Sequence, residues 1–182
     1  MSRPSFAEVN MRYAFEIARR STCLRTSGVD GSQMKVGCVI VSADYRRVLA
    51  SGYNGNAAGL PNACDDPNKP GGCGCIHAEA NAVISCVESR ATDKIVFTTH
   101  QPCPTCSKYL IQLGGVKVVL YARPYRDVSG VEMMRSVGIL VDQFVIPCRA
   151  CQIENEVGKD MEMLGTIPAK YHICLGADPS EI

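Results

Sequence analysis

The sequence predicts an α/β protein, a three-layer α/β/α fold around a central mixed five-stranded sheet. Three observations carry that expectation. The chain has 182 residues, a length suited to one domain that can bury a sizeable core. Apolar runs of strand length alternate with segments of helical period in the order αββαβαβαβ, which reads as a layered sheet. The first two strands read as a hairpin and the later ones are separated by helices, which makes the sheet one of mixed direction. A single domain over 1–182 is expected, with a core from about 5 to 146 and a C-terminal extension over 147–182.

Ser5-Phe6-Ala7-Glu8 has the form of a capping box, in which Ser5 caps a helix and Glu8 reaches back. Phe6, Val9, Tyr13 and Ile17 recur at helical spacing, with Ala14 and Ala18 beside them, so this helix is expected to run to about Cys23. Residues 26–32 are loop material. Residues 35–41 read as a buried strand and 46–51 as its hairpin partner across Ala43-Asp44-Tyr45. Residues 52–75, rich in Gly, Asn and Pro, read as a long loop, and such a loop in a compact domain is usually functional or stapled by metal. A helix over 78–89 would carry Ala80, Val83, Ile84 and Val87 on one face. A strand over 94–99 and a helix over 103–113, ended by Gly114-Gly115, come next. They are followed by a strand over 116–121, a short helix over 131–137 stopped by Gly138, and a last strand over 139–146.

A net charge of +1 argues against a general nucleic-acid or acidic-membrane surface, although a small anionic substrate needs only one or two local cations. Residues 1–8 lack the apolar core of a signal peptide, and no apolar run approaches membrane-spanning length. The expected compartment is therefore cytoplasmic, where thiols stay reduced. Eleven cysteines are too many for core filling alone, and metal ligation accounts for them better than disulfides. Cys38 and Cys86 sit within apolar patterns and are expected in the core.

The chemistry concentrates in His77-Ala78-Glu79 and Pro102-Cys103-Pro104-Thr105-Cys106. A catalytic zinc takes three protein ligands and keeps a fourth position for water. His77, Cys103 and Cys106 can supply the three, and Glu79 is then free to move the proton of a water whose pKa the metal lowers. A structural knuckle, the competing account, wants four closed ligands and has no use for Glu79. Both halves fall at expected helix starts, where Cys103 and Cys106 share a face and the helix dipole favours thiolate.

Val36-Gly37-Cys38-Val39-Ile40, Gly52-Tyr53-Asn54-Gly55, His77-Ala78-Glu79 and Pro102-Cys103-Pro104-Thr105-Cys106 stand in the order found in deoxycytidylate (dCMP) deaminases, a family that the chain resembles from about residue 8 to 140. The resemblance implies the cytidine-deaminase fold and zinc-dependent hydrolysis of dCMP to dUMP and ammonia, a supply of thymidylate precursor. Water activated by the zinc would attack C4, with Glu79 as the proton shuttle. It further implies that Val36 packs on the base, Asn54 binds the sugar hydroxyl, and Ala78 and Tyr125 line the pocket. Many members are hexamers switched on by dCTP and off by dTTP, effectors that carry Mg, with Gly52, Tyr53, Asn54 and Gly55 at the effector site. Arg123 and Arg126 are the nearest cations for the 5′-phosphate.

Some family members carry a second, structural zinc, which the resemblance assigns here to Cys23, Cys64, Cys73 and Cys75. A closed all-cysteine site would pin the long loop, which has too little apolar content to order itself. Cys148-Arg149-Ala150-Cys151 has metal-ligand spacing too, and His172 and Cys174 follow it, so a third site in the tail is a further reading. His100 is expected in the strand-to-helix loop, solvated or facing substrate. The same chemistry on 5-modified dCMP, dCTP or tRNA adenosine is the competing enzymatic account, and a zinc-stapled binding module the non-enzymatic one. The modest charge counts against tRNA, and Glu79 against the module.

Overall fold

The structure, a computed structural model, describes residues 3–26, 33–69 and 72–144. The expected element order is present: α1 (Phe6–Ala18), β1 (Gly37–Ser42), β2 (Val48–Tyr53), α2 (Ala78–Ser85), β3 (Lys94–His100), α3 (Pro104–Leu113), β4 (Val116–Arg123), α4 (Ser129–Ser136) and β5 (Leu140–Gln143). The strands form one sheet in the order β2-β1-β3-β4-β5. β1 is antiparallel to both β2 and β3, and β3, β4 and β5 are parallel to one another. The sheet is therefore mixed and five-stranded, as expected.

Its two faces are covered by different helices. On one face, Ala7, Met11 and Ala14 of α1 pack on Val39, Val41, Ile95, Phe97 and Leu120. On the other, Ala78 and Ala82 of α2, Leu110 of α3, and Val131 and Met134 of α4 pack on Cys38, Ile40, Val96 and Val119. Alternate strand residues feed opposite layers, which is the period-two rule of a sheet buried on both sides.

Several details depart from the sequence expectation. The first helix ends at Ala18, with Arg19 as its C-cap, so Cys23 lies beyond it in irregular chain. Its buried stripe is Ala7, Met11, Ala14 and Ala18, while Phe6, Val9 and Tyr13 are exposed. The two stripes share one helical period, and close approach to the sheet selects the one with small residues. Ser5 Oγ does accept the Glu8 N–H at 3.1 Å. The reciprocal arm of the box is not made, because the Glu8 carboxylate accepts from Arg12 one turn on, at 3.1 Å.

The first strand runs 37–42 rather than 35–41, and its partner runs to Tyr53, so Gly52 and Tyr53 are strand rather than loop. The second helix stops at Ser85 because Cys86 turns extended, with φ −84° and ψ 108°. Ile84 and Val87, expected on its inner face, are 75% and 94% exposed. Cys38 is fully buried, whereas Cys86 is only half-buried at the helix end. His100 is the last residue of β3, not a loop residue, and its Nδ1 stands 3.1 Å from Thr99 Oγ1. Residues 145 and 146 of the expected last strand lie outside the described residues, as do Cys148, Cys151, His172 and Cys174. Among the described residues no helix is long and apolar enough to cross a membrane.

Candidate metal centre and nucleotide cleft

Two helix starts build the centre. His77 is the N-cap of α2 and Cys103 the N-cap of α3, each with extended backbone. At Cys103 the sequence dictates this locally. The residue before a proline is driven out of the helical region, so Pro104 holds Cys103 extended. Pro104 then occupies the first helical position, where its missing N–H costs nothing. Cys106 follows in the first turn, on the same face as Cys103. Both helices begin at the carboxyl end of the parallel strands, where open α/β sheets form their clefts.

His77 Nδ1 stands 3.6 Å from Cys103 Sγ and 3.4 Å from Cys106 Sγ. Zinc–nitrogen and zinc–sulfur bonds of ordinary length meeting at a tetrahedral angle separate the two ligand atoms by about 3.6 Å. The donor set therefore fits zinc in both of its His77–cysteine separations. It contributes three ligands, which leaves one coordination position open. His77 is exposed, Cys103 half-buried and Cys106 buried, so the centre faces solvent on its histidine side.

The electrostatics favour a metal-binding anion. The Cys106 thiol donates to Cys103 and, with a further contribution from His77, holds Cys103 down to about 4. The same contact and burial push Cys106 up, so the negative charge of the pair rests on Cys103. The contact with Cys103 raises His77 against the opposing effect of burial. Glu79, in the first turn of α2, is only 4% exposed, and burial raises its carboxyl above the usual range. It lies within electrostatic reach of His77, Cys103 and Cys106 and is not one of the clustered ligand atoms.

The Gly52–Gly55 stretch is fastened to α2. A side-chain carbon at Gly52 would meet the carbonyl of Ala78 and the backbone of Ala82, so only glycine permits this approach. Asn81 Nδ2 donates to the Tyr53 carbonyl at 2.8 Å. Asn54 is buried, with Oδ1 accepting the Val36 N–H at 2.8 Å and Nδ2 donating to the Met34 carbonyl at 2.7 Å. Each of its polar atoms keeps one further hydrogen-bonding position. Val36 is half-buried against the core, and Ala78 is fully buried at the start of α2.

Opposite these lies the loop after β4. Tyr125 is half-buried, and the Arg126 guanidinium lies 5.8 Å from its ring centroid. Arg123 is turned over Phe15 of α1, 5.7 Å from the ring centroid, which leaves Arg126 the more exposed of the two cations. Sequence reasoning missed Gln101 and Gly130, which join this loop to the cysteine segment. Gln101 donates its amide to the Asp127 carbonyl at 2.9 Å. A side-chain carbon at Gly130 would lie 2.5 Å from Ser107 Oγ and 2.9 Å from the Pro102 carbonyl. Their partners are distant in sequence, so no local pattern marks them.

The second cysteine set also converges. The sulfurs of Cys23, Cys64, Cys73 and Cys75 all lie within 4.8 Å of one another, with Cys23 and Cys73 at 3.5 Å. Tetrahedral zinc separates two thiolate sulfurs by about 3.8 Å. Burial lifts Cys23 to about 11. Burial would raise Cys73 as well, but donation from the Cys75 backbone and from the other thiols brings it below the ordinary thiol value. Gly55 and Ile76 exchange backbone hydrogen bonds of 3.1 and 2.8 Å, so the long loop is closed at its base between Cys75 and His77.

Comparison with known proteins agrees with this architecture. The chain is 32% identical over 158 residues to the deoxycytidylate deaminase of Schizosaccharomyces pombe, covering 80% of this chain and 46% of that one. It is 33% identical over 155 residues to that of Saccharomyces cerevisiae, covering 79% and 46%. The chain thus spans about half the length of these two yeast relatives. A crystal structure of dCMP deaminase from the cyanophage S-TIM5, in complex with dCMP and dUMP, superposes with a TM-score of 0.65 at 32% identity, covering 79% of this chain and all of that one. The family described as the cytidine and deoxycytidylate deaminase zinc-binding region matches residues 5–122, and with the ligand triad, the neighbouring glutamate and the sheet order in place, the chain belongs to it.

Proposed function

We propose that this protein hydrolyses dCMP to dUMP and ammonia at the centre formed by His77, Cys103, Cys106 and Glu79. One observation carries the reading: three zinc-type ligand atoms meet at two helix starts beside a buried carboxyl whose proton affinity burial raises. When bound, zinc supplies the Lewis acidity that makes a water nucleophilic near neutral pH. Glu79 would take one proton from that water and deliver it to the ring nitrogen as the oxygen bonds to C4; it would then take the remaining proton from the C4 hydroxyl and pass it to the departing amine as the C4–N bond breaks and the C4 carbonyl forms. Its raised proton affinity suits both directions of transfer.

In this reading Val36 and Tyr125 flank the base, the first N–H of α2 at Ala78 faces it, and Asn54 spends its spare hydrogen-bonding capacity on the sugar. Cys23, Cys64, Cys73 and Cys75 hold a structural zinc. Both clusters need thiolates rather than disulfides, which suits a cytoplasmic setting. Regulation by dCTP with Mg and by dTTP at Gly52–Gly55 in a hexamer belongs to the same proposal; the Arg20 guanidinium, 5.5 Å from the Tyr53 ring centroid, is a cation suited to a polyphosphate there. The chemistry is assigned to the core of about 5–146, with 147–182 as an extension.

Absorbance loss on dCMP, compared with 5-methyl-dCMP, dCTP and deoxycytidine and repeated with dCTP·Mg or dTTP, tests the substrate and the effectors together. Glu79→Gln is expected to keep its zinc and lose at least about 10²-fold in turnover. A wild-type protein that binds zinc and turns over none of these nucleotides would refute the reading.

A further inference from the structure

We infer that Gln101 is a positioning residue for nucleotide recognition: its side chain fastens the loop carrying Tyr125 and Arg126 to the segment carrying Cys103. The inference rests on the proposed function in taking Tyr125 to line the base pocket. Glutamine is usually an exposed residue, yet Gln101 is only 5% exposed. Its hydrogen bonds go to one loop. The backbone N–H donates to the Arg123 carbonyl at 2.8 Å. Nε2 donates to the Asp127 carbonyl at 2.9 Å, and Oε1 accepts the Tyr125 N–H at 3.4 Å.

Alternate backbone groups of the β4–α4 loop are thus held by one residue placed two positions before Cys103. The loop is fixed at its far end as well. Asp127 Oδ1 accepts from the Ser129 N–H at 3.0 Å and from its hydroxyl at 2.6 Å, at the start of α4. The Tyr125 backbone is tied to Gln101 by a partly buried hydrogen bond, and Arg126 lies over its ring. The side-chain hydrogen bonds of Gln101 go to the loop and to neither ligand set. Its effect passes through the loop, so it belongs to nucleotide binding rather than to the chemical step.

The test compares Gln101→Ala and Gln101→Glu in the zinc-loaded enzyme. Glutamate keeps the acceptor for the Tyr125 N–H, loses the donor to the Asp127 carbonyl, and preserves the shape. Gln101→Ala is expected to raise KM for dCMP about tenfold with kcat within about threefold, and Gln101→Glu to fall between it and wild type. Zinc content is expected to stay at the wild-type value in both. Calorimetric binding of dCMP to Glu79→Gln and to Glu79→Gln/Gln101→Ala gives a readout without turnover, with the same tenfold weakening expected. An unchanged KM, or a fall in kcat accompanied by zinc loss, overturns the proposal. If Gln101→Ala does not fold, the KM of Gln101→Glu decides alone. A Glu79→Gln protein that holds zinc and binds no dCMP would remove the functional reading on which the proposal stands, a result distinct from equal binding by the two proteins.

Discussion

Lys94 shows how one side chain can organise several segments. It is fully buried, and its Nζ donates to the carbonyls of Ser89, Thr92 and Gly114 at 2.6, 2.8 and 3.2 Å. Three donors meet three backbone acceptors from two loops, of which the Ser89 carbonyl also accepts the Thr92 N–H at 3.0 Å. Lys94→Met preserves much of the stem but removes every donor, so we expect a loss of about 2–4 kcal/mol in urea unfolding. A variant as stable as wild type would show that water or neighbouring groups satisfy those carbonyls. Asn54 plays a comparable part at the cleft, where it ties residues 34–36 to the end of β2 before it contacts any ligand. The proposed nucleotide-binding role would be layered on this structural one.

The helices are placed by close approaches rather than by long apolar stripes. α1 presents Ala7, Met11, Ala14 and Ala18 to the sheet, and α2 presents Ala78 and Ala82, because alanine side chains let helix and sheet backbones come near. Gly130 does the same for α4, whose first turn leans on Ser107 and Pro102 beside the ligand Cys103. Gly130→Ala should therefore act on two observables. Overpacking is expected to cost about 1–3 kcal/mol, and the displaced Pro102–Cys103 segment should lose zinc faster to a chelator. A destabilised variant with wild-type zinc release would mean that α4 yields instead of the ligand segment.

Across the whole molecule, the two cysteine-containing centres are neighbours along one stretch of chain. Cys75 belongs to one, His77 to the other, and Ile76 between them is paired with Gly55 next to Asn54. Pinning the long loop would therefore also aim His77 and the end of the Gly52–Gly55 stretch. Cys64→Ser is expected to reduce zinc from two ions per chain to one and to lower the melting temperature by roughly 5–10 °C. Two zinc ions and an unchanged melting temperature in that variant would remove the structural-metal reading. The remaining ion should stay with His77, Cys103 and Cys106, whose geometry does not use Cys64.

By itself the sequence determined the element order, the mixed sheet, and the candidate set of His77, Cys103, Cys106 and Glu79, whereas the four-cysteine set came from the resemblance. These are carried by residue type at short spacing: prolines bracketing Cys103, ligands three apart on a helix start, and apolar runs bounded by glycine. Tertiary structure alone decided which of two equally periodic stripes α1 buries, where α2 stops, and that Gly52 continues a strand. A helical period fixes an angle between residues and leaves the phase to whatever the sheet can accommodate. Gln101, Gly130 and Lys94 were decided there too, because each is defined by backbone groups from distant segments that meet only after folding. The chemistry of this centre is written locally in the chain, whereas the contacts that hold its cleft in register are not.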